Sequence, residues 1–313
     1  MPSATLLLPP RARFAGEALP PALGKALGRA DGYAGPPGPA SLFEVLPRGW
    51  PAAAVTRQVE RGDASGAQWV RADPAYVRPD INGARLLAIG GVLGLDEASA
   101  ESLLRALRPV FGDFGMPIEA TSPSRWYLRV DPGAPLPRFA DPDDALGADL
   151  FDHLPPGDVG RRWRALLSDA QVTLHQHPLN AERAASGLAP INSVWFWGAG
   201  RLPDHVRTPL GDIASDDEVV AAFAAIAGAR HGPVPARWPG PGEGAAAYDL
   251  RRSRRLDALC AEWLEPAAAD LRRGVLASLD LAFDDGSRFA MRRSQSLRFW
   301  RRPLRALIER DAQ

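Results

Sequence analysis

Polar side chains suited to anion recognition cluster just before a tryptophan-rich segment. The stretch 174–200 reads LHQHPLNAERAASGLAPINSVWFWGAG, and Arg201 follows it. Arg183 and Arg201 can each pair with a carboxylate or phosphate in bidentate fashion. The amide side chains of Asn180 and Asn192 can orient an anion through paired donors and acceptors. This composition predicts binding of a small anionic ligand.

The placement of the cluster points the same way. The segment 193–197 is apolar on both faces, which is typical of a central strand, and glycines follow it. Ligands of open α/β sheets bind beyond the carboxyl ends of strands, where glycine lets backbone N–H groups face an anion. Gly198-x-Gly200 is not a dinucleotide fingerprint, because Pro203 stands where a third glycine is required.

The same residues also have structural interpretations, which the sequence leaves open. Asn180 can cap a short helix that Gly187 ends. Trp195 and Trp197 can be core residues, and His177 falls on the apolar face of its helix, where a hydrogen-bonded core histidine is an equal alternative.

The sequence gives little support for a catalytic metal site or a catalytic nucleophile. On a helix His175 and His177 point apart, so they do not chelate together, and Asp152-His153 is at most a weak cation site. Cys260, the single cysteine, has no histidine near it in sequence, which favours a structural thiol. No Gly-x-Ser-x-Gly elbow occurs. We therefore predict no catalytic residue, no metal ligand and no cofactor.

Composition limits the possible partners and the compartment. The formal charge at pH 7 is zero, so nucleic acid is not an expected partner, and the acidic run 131–158 and basic run 272–310 are expected to be solvated faces. No stretch of about 18 apolar residues exists, and Leu6–Leu8 is too short for a signal peptide. We expect a cytoplasmic protein without a membrane partner, and no oligomeric state is predicted.

Strand and helix patterns alternate between three Pro- and Gly-rich loops at 32–40, 132–142 and 232–242. Strands are predicted at 6–8, 69–72, 116–120, 125–130, 193–197 and 276–283. Helices are predicted at 96–108, 161–177, 216–227 and 257–273, the last interrupted at Pro266. This alternation predicts a layered α/β fold.

The 177–200 block, of pattern HPxNxxRxxxGxxPxNxxWxWGxG, resembles a block of archaeal-type cofactor-independent phosphoglycerate mutases, which belong to the alkaline-phosphatase superfamily. Segments 71–74 (RADP) and 125–128 (RWYL) are weakly similar to the inserted domain of those enzymes. Nearly the whole chain resembles RpfE-type bacterial regulatory proteins, through 69–80 (WVRADPAYVRPD), 125–128 and 174–200. The resemblance implies a degenerate alkaline-phosphatase-like layered sheet at 1–64 and 201–313, with an inserted α+β domain at 65–200.

Departures from the mutases concern their catalytic metals. Those enzymes use two metal ions with Asp and His ligands and a Ser or Thr nucleophile. Their first ligand follows the first strand, where this chain has Leu8-Pro9-Pro10-Arg11. Their late Asp-His pair falls at Asp284-Asp285, and no histidine follows His231. The resemblance with these departures predicts loss of the parental phosphoryl transfer.

Two functions follow as alternatives. The first is a non-catalytic regulatory or ligand-binding protein that binds a small anion or a protein partner, and the second is a mutase-like or phosphatase enzyme with a rearranged metal site. A weaker third is a nucleic-acid regulator using 251–255 (RRSRR). Under the first, Arg183→Ala should abolish binding without unfolding the protein. Its predicted ligand-binding residues are Arg71, Asp73, Arg78, His177, Asn180, Arg183, Asn192, Trp197 and Arg201.

Overall fold

A computed structural model describes residues 2–81 and 83–308, which form two compact units. The first unit comprises Met1–Arg48 and His205–Gln313, and the second comprises Gly49–Asp204. These bounds differ from the sequence-based ones, because the second unit includes a helix at Ala52–Arg61 that was assigned to the other unit. Its residues Ala53 and Ala54 pack against Trp69 of the second unit.

The described elements are numbered here in chain order. The strands are β1 (Ser3–Leu8), β2 (Asp31–Ala34), β3 (Glu44–Leu46), β4 (Gln68–Asp80), β5 (Gly83–Ile89), β6 (Ile118–Ser122), β7 (Arg125–Val130), β8 (Ser193–Arg201), β9 (His205–Arg207), β10 (Asp212–Ala214), β11 (Arg230–Gly232), β12 (Ala245–Asp249), β13 (Ser278–Phe283) and β14 (Ser287–Arg292). The α-helices are α1 (Pro21–Arg29), α2 (Ala52–Arg61), α3 (Glu97–Asp113), α4 (Pro142–Ala145), α5 (Gly157–His175), α6 (Leu179–Ala185), α7 (Glu218–Ile226), α8 (Leu256–Leu259) and α9 (Glu265–Arg273).

The first unit is built on a mixed sheet of order β11-β10-β12-β1-β13-β14-β2. Strands β11, β10, β12, β1 and β13 run parallel, and β14 is antiparallel to both β13 and β2. Leu6, Leu7 and Leu8 of β1 are all fully buried although they alternate between the two faces, so the strand is covered on both sides. Helices α1 and α9 supply the apolar side chains that pack with Leu6 and Leu8.

The second unit is an antiparallel sheet of order β5-β4-β7-β6, with β8 also paired to β4. One face packs against α3 and α5, because the alternate residues Val70, Ala72 and Leu128 point toward those helices. The other face packs against α2 through Trp69 and Tyr127. Tyr127 is fully buried because α2 covers this face of the sheet.

The helices at 96–108 and 161–177 form as predicted but with other end points. The Asp96 side chain accepts a hydrogen bond from the Ser99 amide at 2.7 Å and starts α3, which runs on to Asp113. Helix α5 ends at His175. The predicted break near Pro266 lies at Cys260–Leu264, a π-helical turn between α8 and α9. None of the helices in the described part of the chain is long and apolar enough to cross a membrane.

Candidate functional site

The second unit holds a buried ion pair at the centre of its longest strand. Arg71 and Asp73 face each other on β4 at spacing i, i+2, and the guanidinium donates from Nε and Nη2 to the two carboxylate oxygens at 2.9 Å each. The same carboxylate accepts from the Trp126 amide at 3.2 Å and from the Trp197 indole at 2.8 Å. These four hydrogen bonds all come to Asp73 from protein groups.

Aromatic rings enclose the guanidinium groups on this face of the sheet. The Arg71 guanidinium lies 5.2 Å from the Tyr127 ring centroid and 4.9 Å from that of Trp197. Arg57 of α2 lies 4.5 Å from the Trp69 ring and binds the Asp63 carboxylate. Cation–π contacts gain strength where water is excluded, so the buried Arg57 stabilises the packing of α2 on the sheet.

Arg57 and Tyr127 were missing from the predicted set. Burial lowers the pKa of Arg57, but hydrogen bonds to Asp63 and Glu119 outweigh it and raise the pKa above its ordinary value. The Tyr127 hydroxyl lies 2.9 Å from the Glu60 carboxylate, and burial is the main cause of its raised pKa. Nothing local in the sequence indicates the contacts of Arg57 with Glu119 and of Tyr127 with Glu60, since these partners lie 62 and 67 positions apart.

His177 and Asn180 organise the turn between α5 and α6. The Leu179 amide donates to His177 Nδ1 at 3.2 Å. The Asn180 amide donates to the Leu174 carbonyl at 2.8 Å and to the Ile191 carbonyl at 2.9 Å, and its oxygen accepts from the Ile191 amide at 2.8 Å. Asn180 therefore joins the end of α5 to the segment that leads into β8. It lies inside α6 and does not cap it, because the helix begins after Pro178 without a side-chain cap.

Arg183 lies inside the second unit. Its Nε donates to the Ala189 carbonyl at 2.8 Å and its Nη2 to the Leu93 carbonyl at 2.6 Å. Desolvation lowers the pKa of Arg183, and the charge of Asp96 opposes that shift. The side chain thus satisfies two main-chain carbonyls that helix and sheet leave unpaired.

Asn192 forms a similar join at the start of β8. Its side-chain oxygen accepts from the Val77 amide at 2.9 Å, and its nitrogen donates to the Val77 carbonyl at 2.8 Å. Val77 lies where the pairing of β4 with β5 shifts register. The amide side chain completes hydrogen bonds that the bulge would leave open.

Arg78 and Arg201 differ from the rest of the predicted set because they are exposed. Arg78 lies opposite Arg85 near the end of β4, whereas Arg201 pairs with Gln68 at its start and donates to the Pro132 carbonyl. The structure brings Arg71, Asp73 and Trp197 into direct contact. It places His177, Asn180 and Arg183 together around the α5–α6 turn, and Asn192, Arg78 and Arg201 elsewhere. Ligand binding by these residues stays a prediction.

A second polar cluster lies in the first unit, at the carboxyl edge of its parallel strands. Leu7 of β1 is in register with Asp249, and Ala214 of β10 with Tyr248, so these strand ends lie side by side. Arg251 donates from Nε to Asp249 at 2.9 Å and from Nη2 to both Asp249 and Asp217 at 2.8 Å. One guanidinium therefore links two carboxylates at the edge where doubly wound sheets bind ligands.

The oxygens of these two carboxylates have further protein donors. The Ser215 hydroxyl donates to Asp249 Oδ2 at 2.8 Å, and the Arg251 amide donates to Asp249 Oδ1 at 3.2 Å. Asp217 Oδ1 accepts from the Val219 amide at 2.8 Å and caps α7. Burial alone lowers the pKa of Arg251, but its bonds to Asp249 and Asp217 raise the pKa well above its ordinary value. Arg251 is thus a fixed positive charge.

The neighbouring strand ends carry another arginine–carboxylate contact. The Arg11 amide and Nε donate to Asp285 Oδ2 at 3.1 and 3.5 Å. Desolvation raises the pKa of Asp285, and hydrogen bonds from Ser287 and Arg11 outweigh it and lower the pKa. Arg11 stands where the resemblance placed a metal-binding carboxylate. Within 2–81 and 83–308, no group of three or more His, Cys, Asp or Glu side chains is arranged to hold a metal ion.

The Arg251 cluster was missed because 251–255 was interpreted as a basic run. A usable signal was present in the sequence. Asp249 and Arg251 stand at spacing i, i+2 at the end of an apolar strand, the same spacing that joins Arg71 to Asp73. Arg71 reaches forward along β4, whereas Arg251 reaches back from the turn after β12, and each guanidinium binds its carboxylate in bidentate fashion.

Comparisons with known proteins give partial matches. No family model matches the sequence. The chain is 38% identical over 66 residues to a 2,3-bisphosphoglycerate-independent phosphoglycerate mutase of Methanothrix thermoacetophila, covering 21% of this chain and 17% of that enzyme. It is 33% identical over 92 residues to a probable enzyme of the same name from Geobacter sulfurreducens, covering 28% of this chain and 23% of that one.

Two solved structures align over most of the chain. A cofactor-independent phosphoglycerate mutase from Thermoplasma acidophilum aligns with 15% identity and a TM-score of 0.38, covering 93% of this chain and 89% of that one. A Pyrococcus horikoshii protein aligns with 12% identity and a TM-score of 0.40, covering 93% and 87%. The segments matched by sequence to the mutases of Methanothrix and Geobacter span only 17% and 23% of the length of those two proteins. The sequence matches support homology between part of this mixed α/β chain and the cofactor-independent phosphoglycerate mutases.

Proposed function

We propose that this chain is a non-catalytic regulatory or ligand-binding protein derived from a phosphoglycerate mutase-like ancestor. The observation that carries the proposal is the position of Arg251, which binds Asp217 and Asp249 together at the carboxyl edge of the first unit's sheet. At this edge the covalently attached guanidinium of Arg251 supplies the positive charge that a metal ion would otherwise bring, and unlike a metal ion it does not dissociate.

The residues at this edge do not fit a pair of catalytic metal ions. Metal ligands must offer free lone pairs on deprotonated carboxylates or neutral imidazoles. Asp249 accepts hydrogen bonds at both oxygens from Arg251, and Asp217 accepts from Arg251 and the Val219 amide. A divalent ion would have to displace a guanidinium that is largely buried, at the cost of leaving that charge without a partner.

The proposed ligand is a small phosphate or carboxylate anion, with a protein partner as the other possibility. Of the predicted residues, Arg78 and Arg201 are exposed, whereas Arg71 and Arg183 are buried and bonded to protein groups. Exposed arginines can bind an anion through the donors that face solvent, although Arg201 also donates from Nη2 to the Pro132 carbonyl. The anion is therefore expected to contact Arg78 or Arg201 first.

A thermal-shift series tests the ligand. Three-carbon phosphates and carboxylates, 3-phosphoglycerate among them, are titrated against the wild type, Arg78→Ala and Arg201→Ala. A ligand at a hundredfold excess over its Kd should stabilise the wild type by about 2.7 kcal/mol. One of the two variants should lose that stabilisation. If no such anion stabilises the wild type, the small-anion form of the proposal is wrong.

A metal titration tests the role of Arg251. The wild type should show no Mn²⁺-dependent rise in Tm. Arg251→Ala should be less stable, and Mn²⁺ should restore part of the loss by neutralising Asp217 and Asp249. Arg251→Lys is the matched control that keeps a charge. Mn²⁺ stabilisation of the wild type equal to that of Arg251→Ala would contradict the proposal.

The alternative is a phosphoglycerate mutase-like enzyme with a rearranged metal site. It is favoured by the 33–38% identity of the matched segments to enzymes described as phosphoglycerate mutases. Turnover of phosphoglycerate by the purified chain with Mn²⁺, Mg²⁺ or Zn²⁺ would decide for the enzyme. A second signature would be loss of that turnover on treatment with a chelator.

A further inference from the structure

The first unit exposes three large apolar side chains on one short loop, residues 297–302 (LRFWRR), called here the aromatic loop. Leu297 is 73% exposed, Phe299 80% and Trp300 68%. The rings of Phe299 and Trp300 contact each other edge to face, with centroids 5.4 Å apart. Scattered exposed apolar residues are ordinary, but three within four positions form an apolar patch of the kind that marks an interaction surface.

The exposure does not come from a loose chain. Arg298 pairs with Asp31 and also donates to the Arg29 carbonyl at 3.1 Å, while Arg301 donates to the Ala30 carbonyl at 3.1 Å. These bonds hold the base of the aromatic loop against the junction between α1 and β2. The loop is therefore fixed in a shape that presents its apolar side chains outward.

A second anchor follows the aromatic loop. The Leu304 amide donates to the Gly24 carbonyl at 2.9 Å. A Cβ on Gly28 would stand 2.2 Å from the Arg302 carbonyl oxygen, and one on Gly24 the same distance from the Leu304 oxygen. The two glycines of α1 thus let the chain after the loop lie directly on the helix.

Positive charge surrounds the patch. Between 287 and 308 the chain has no acidic residue and seven arginines, namely Arg288, Arg292, Arg293, Arg298, Arg301, Arg302 and Arg305. Arg292 pairs with Asp280 and Arg298 with Asp31. The region keeps a positive excess after these two pairs, so it complements a negatively charged surface.

We propose that the aromatic loop docks on an anionic lipid surface. Tryptophan and phenylalanine partition into the headgroup region, and flanking arginines are attracted to anionic lipids. A protein docked in this way lies on the membrane surface and needs no spanning helix. It departs from the expectation of no membrane partner, which rested on the lack of a spanning segment.

Two other occupants fit less well. A second copy of the chain docking through the same patch would place its arginines opposite themselves, which is repulsive. Single-stranded nucleic acid is bound by stacking bases on open ring faces. Here Phe299 and Trp300 stand at 81° to each other, so one ring edge covers the other's face, and aliphatic Leu297 offers no stacking surface.

Vesicle co-sedimentation of the full chain tests the proposal. The wild type should bind vesicles of phosphatidylcholine mixed with phosphatidylglycerol, bind pure phosphatidylcholine weakly, and release as salt rises. The double variant Phe299→Ala/Trp300→Ala should bind anionic vesicles at least about tenfold less tightly. Both side chains are exposed, so its Tm should equal that of the wild type. Ile81→Ala, at another exposed apolar residue, should bind as the wild type does.

Three results would overturn the proposal. The first is an absence of wild-type binding to the anionic vesicles, and the second is equal binding by the double variant. The third is Trp300-dependent assembly with another occupant. Either Trp300-dependent binding to a single-stranded oligonucleotide that is tighter than binding to anionic vesicles, or a Trp300-dependent dimer, would assign the loop to that occupant instead. None of these results bears on the role of Arg251.

Discussion

Replacing Arg251 by alanine removes the positive charge from the carboxyl edge of the first unit's sheet. The Arg251 side chain is 17% exposed, and its partners Asp249 and Asp217 are 6% and 24% exposed, so the pairs are mostly shielded from water. Removing one partner of a buried ion pair typically costs about 3–5 kcal/mol, because the remaining charge stays buried. Partial exposure favours the lower end, so we expect about 3 kcal/mol. For a domain of this size that lowers Tm by roughly 6–12 °C.

Thermal and urea unfolding of Arg251→Ala measure the loss. Arg254→Ala is the matched control, because Arg254 is an exposed arginine of the same stretch and should change stability by less than about 0.5 kcal/mol. Arg251→Lys should recover part of the loss, since lysine keeps the charge but not the bidentate bonds. A Tm for Arg251→Ala equal to that of Arg254→Ala would refute the inference that this guanidinium neutralises both carboxylates.

Three further predictions concern buried groups. Asp73→Asn should lower the free energy of unfolding by about 3 kcal/mol, because it leaves the Arg71 guanidinium buried without its anion. The control Arg78→Ala should change it little, and equal denaturation midpoints for the two variants would contradict the buried pair. Arg183→Ala, expected from sequence to spare stability, should now cost about 2–4 kcal/mol, because two buried carbonyls lose a charged donor; an unchanged Tm with lost anion binding would restore the ligand role. Burial raises the pKa of the Cys260 thiol to about 11, so at pH 8 only about one thiol in a thousand is ionised. Alkylation should therefore be slow until the protein unfolds, and rapid labelling of the native chain would contradict this burial.

Elements with strong local signals could be predicted from the sequence. Leu103, Leu104 and Leu107 stand at helical spacing after Asp96, and the helix predicted there forms as α3, with the Asp96 side chain as its cap. The segment 193–197, predicted to be a strand covered on both faces, forms the buried first half of β8. These features depend on neighbours within one or two turns, where residue type and spacing suffice.

The candidate site could not be predicted to the same degree, because its contacts join distant parts of the chain. Arg71 and Asp73 belong to the segment 71–74 that carries the family resemblance, and only the pairing of β4 with β7 and β8 brings Trp126 and Trp197 to the carboxylate. Likewise, Arg251 meets Asp217 across 34 positions, through the parallel pairing of β10 and β12. Polar residues that complete main-chain hydrogen bonds have the same types as residues that bind anions.

Equilibrium dialysis of the wild-type chain against Mn²⁺, with phosphoglycerate turnover assayed on the same sample, tests the central claim most directly. If the Arg251 guanidinium is the cation that Asp217 and Asp249 hold, the dialysed protein should carry substoichiometric Mn²⁺ and show no turnover. One or more Mn²⁺ ions bound per chain, together with metal-dependent turnover, would contradict the account.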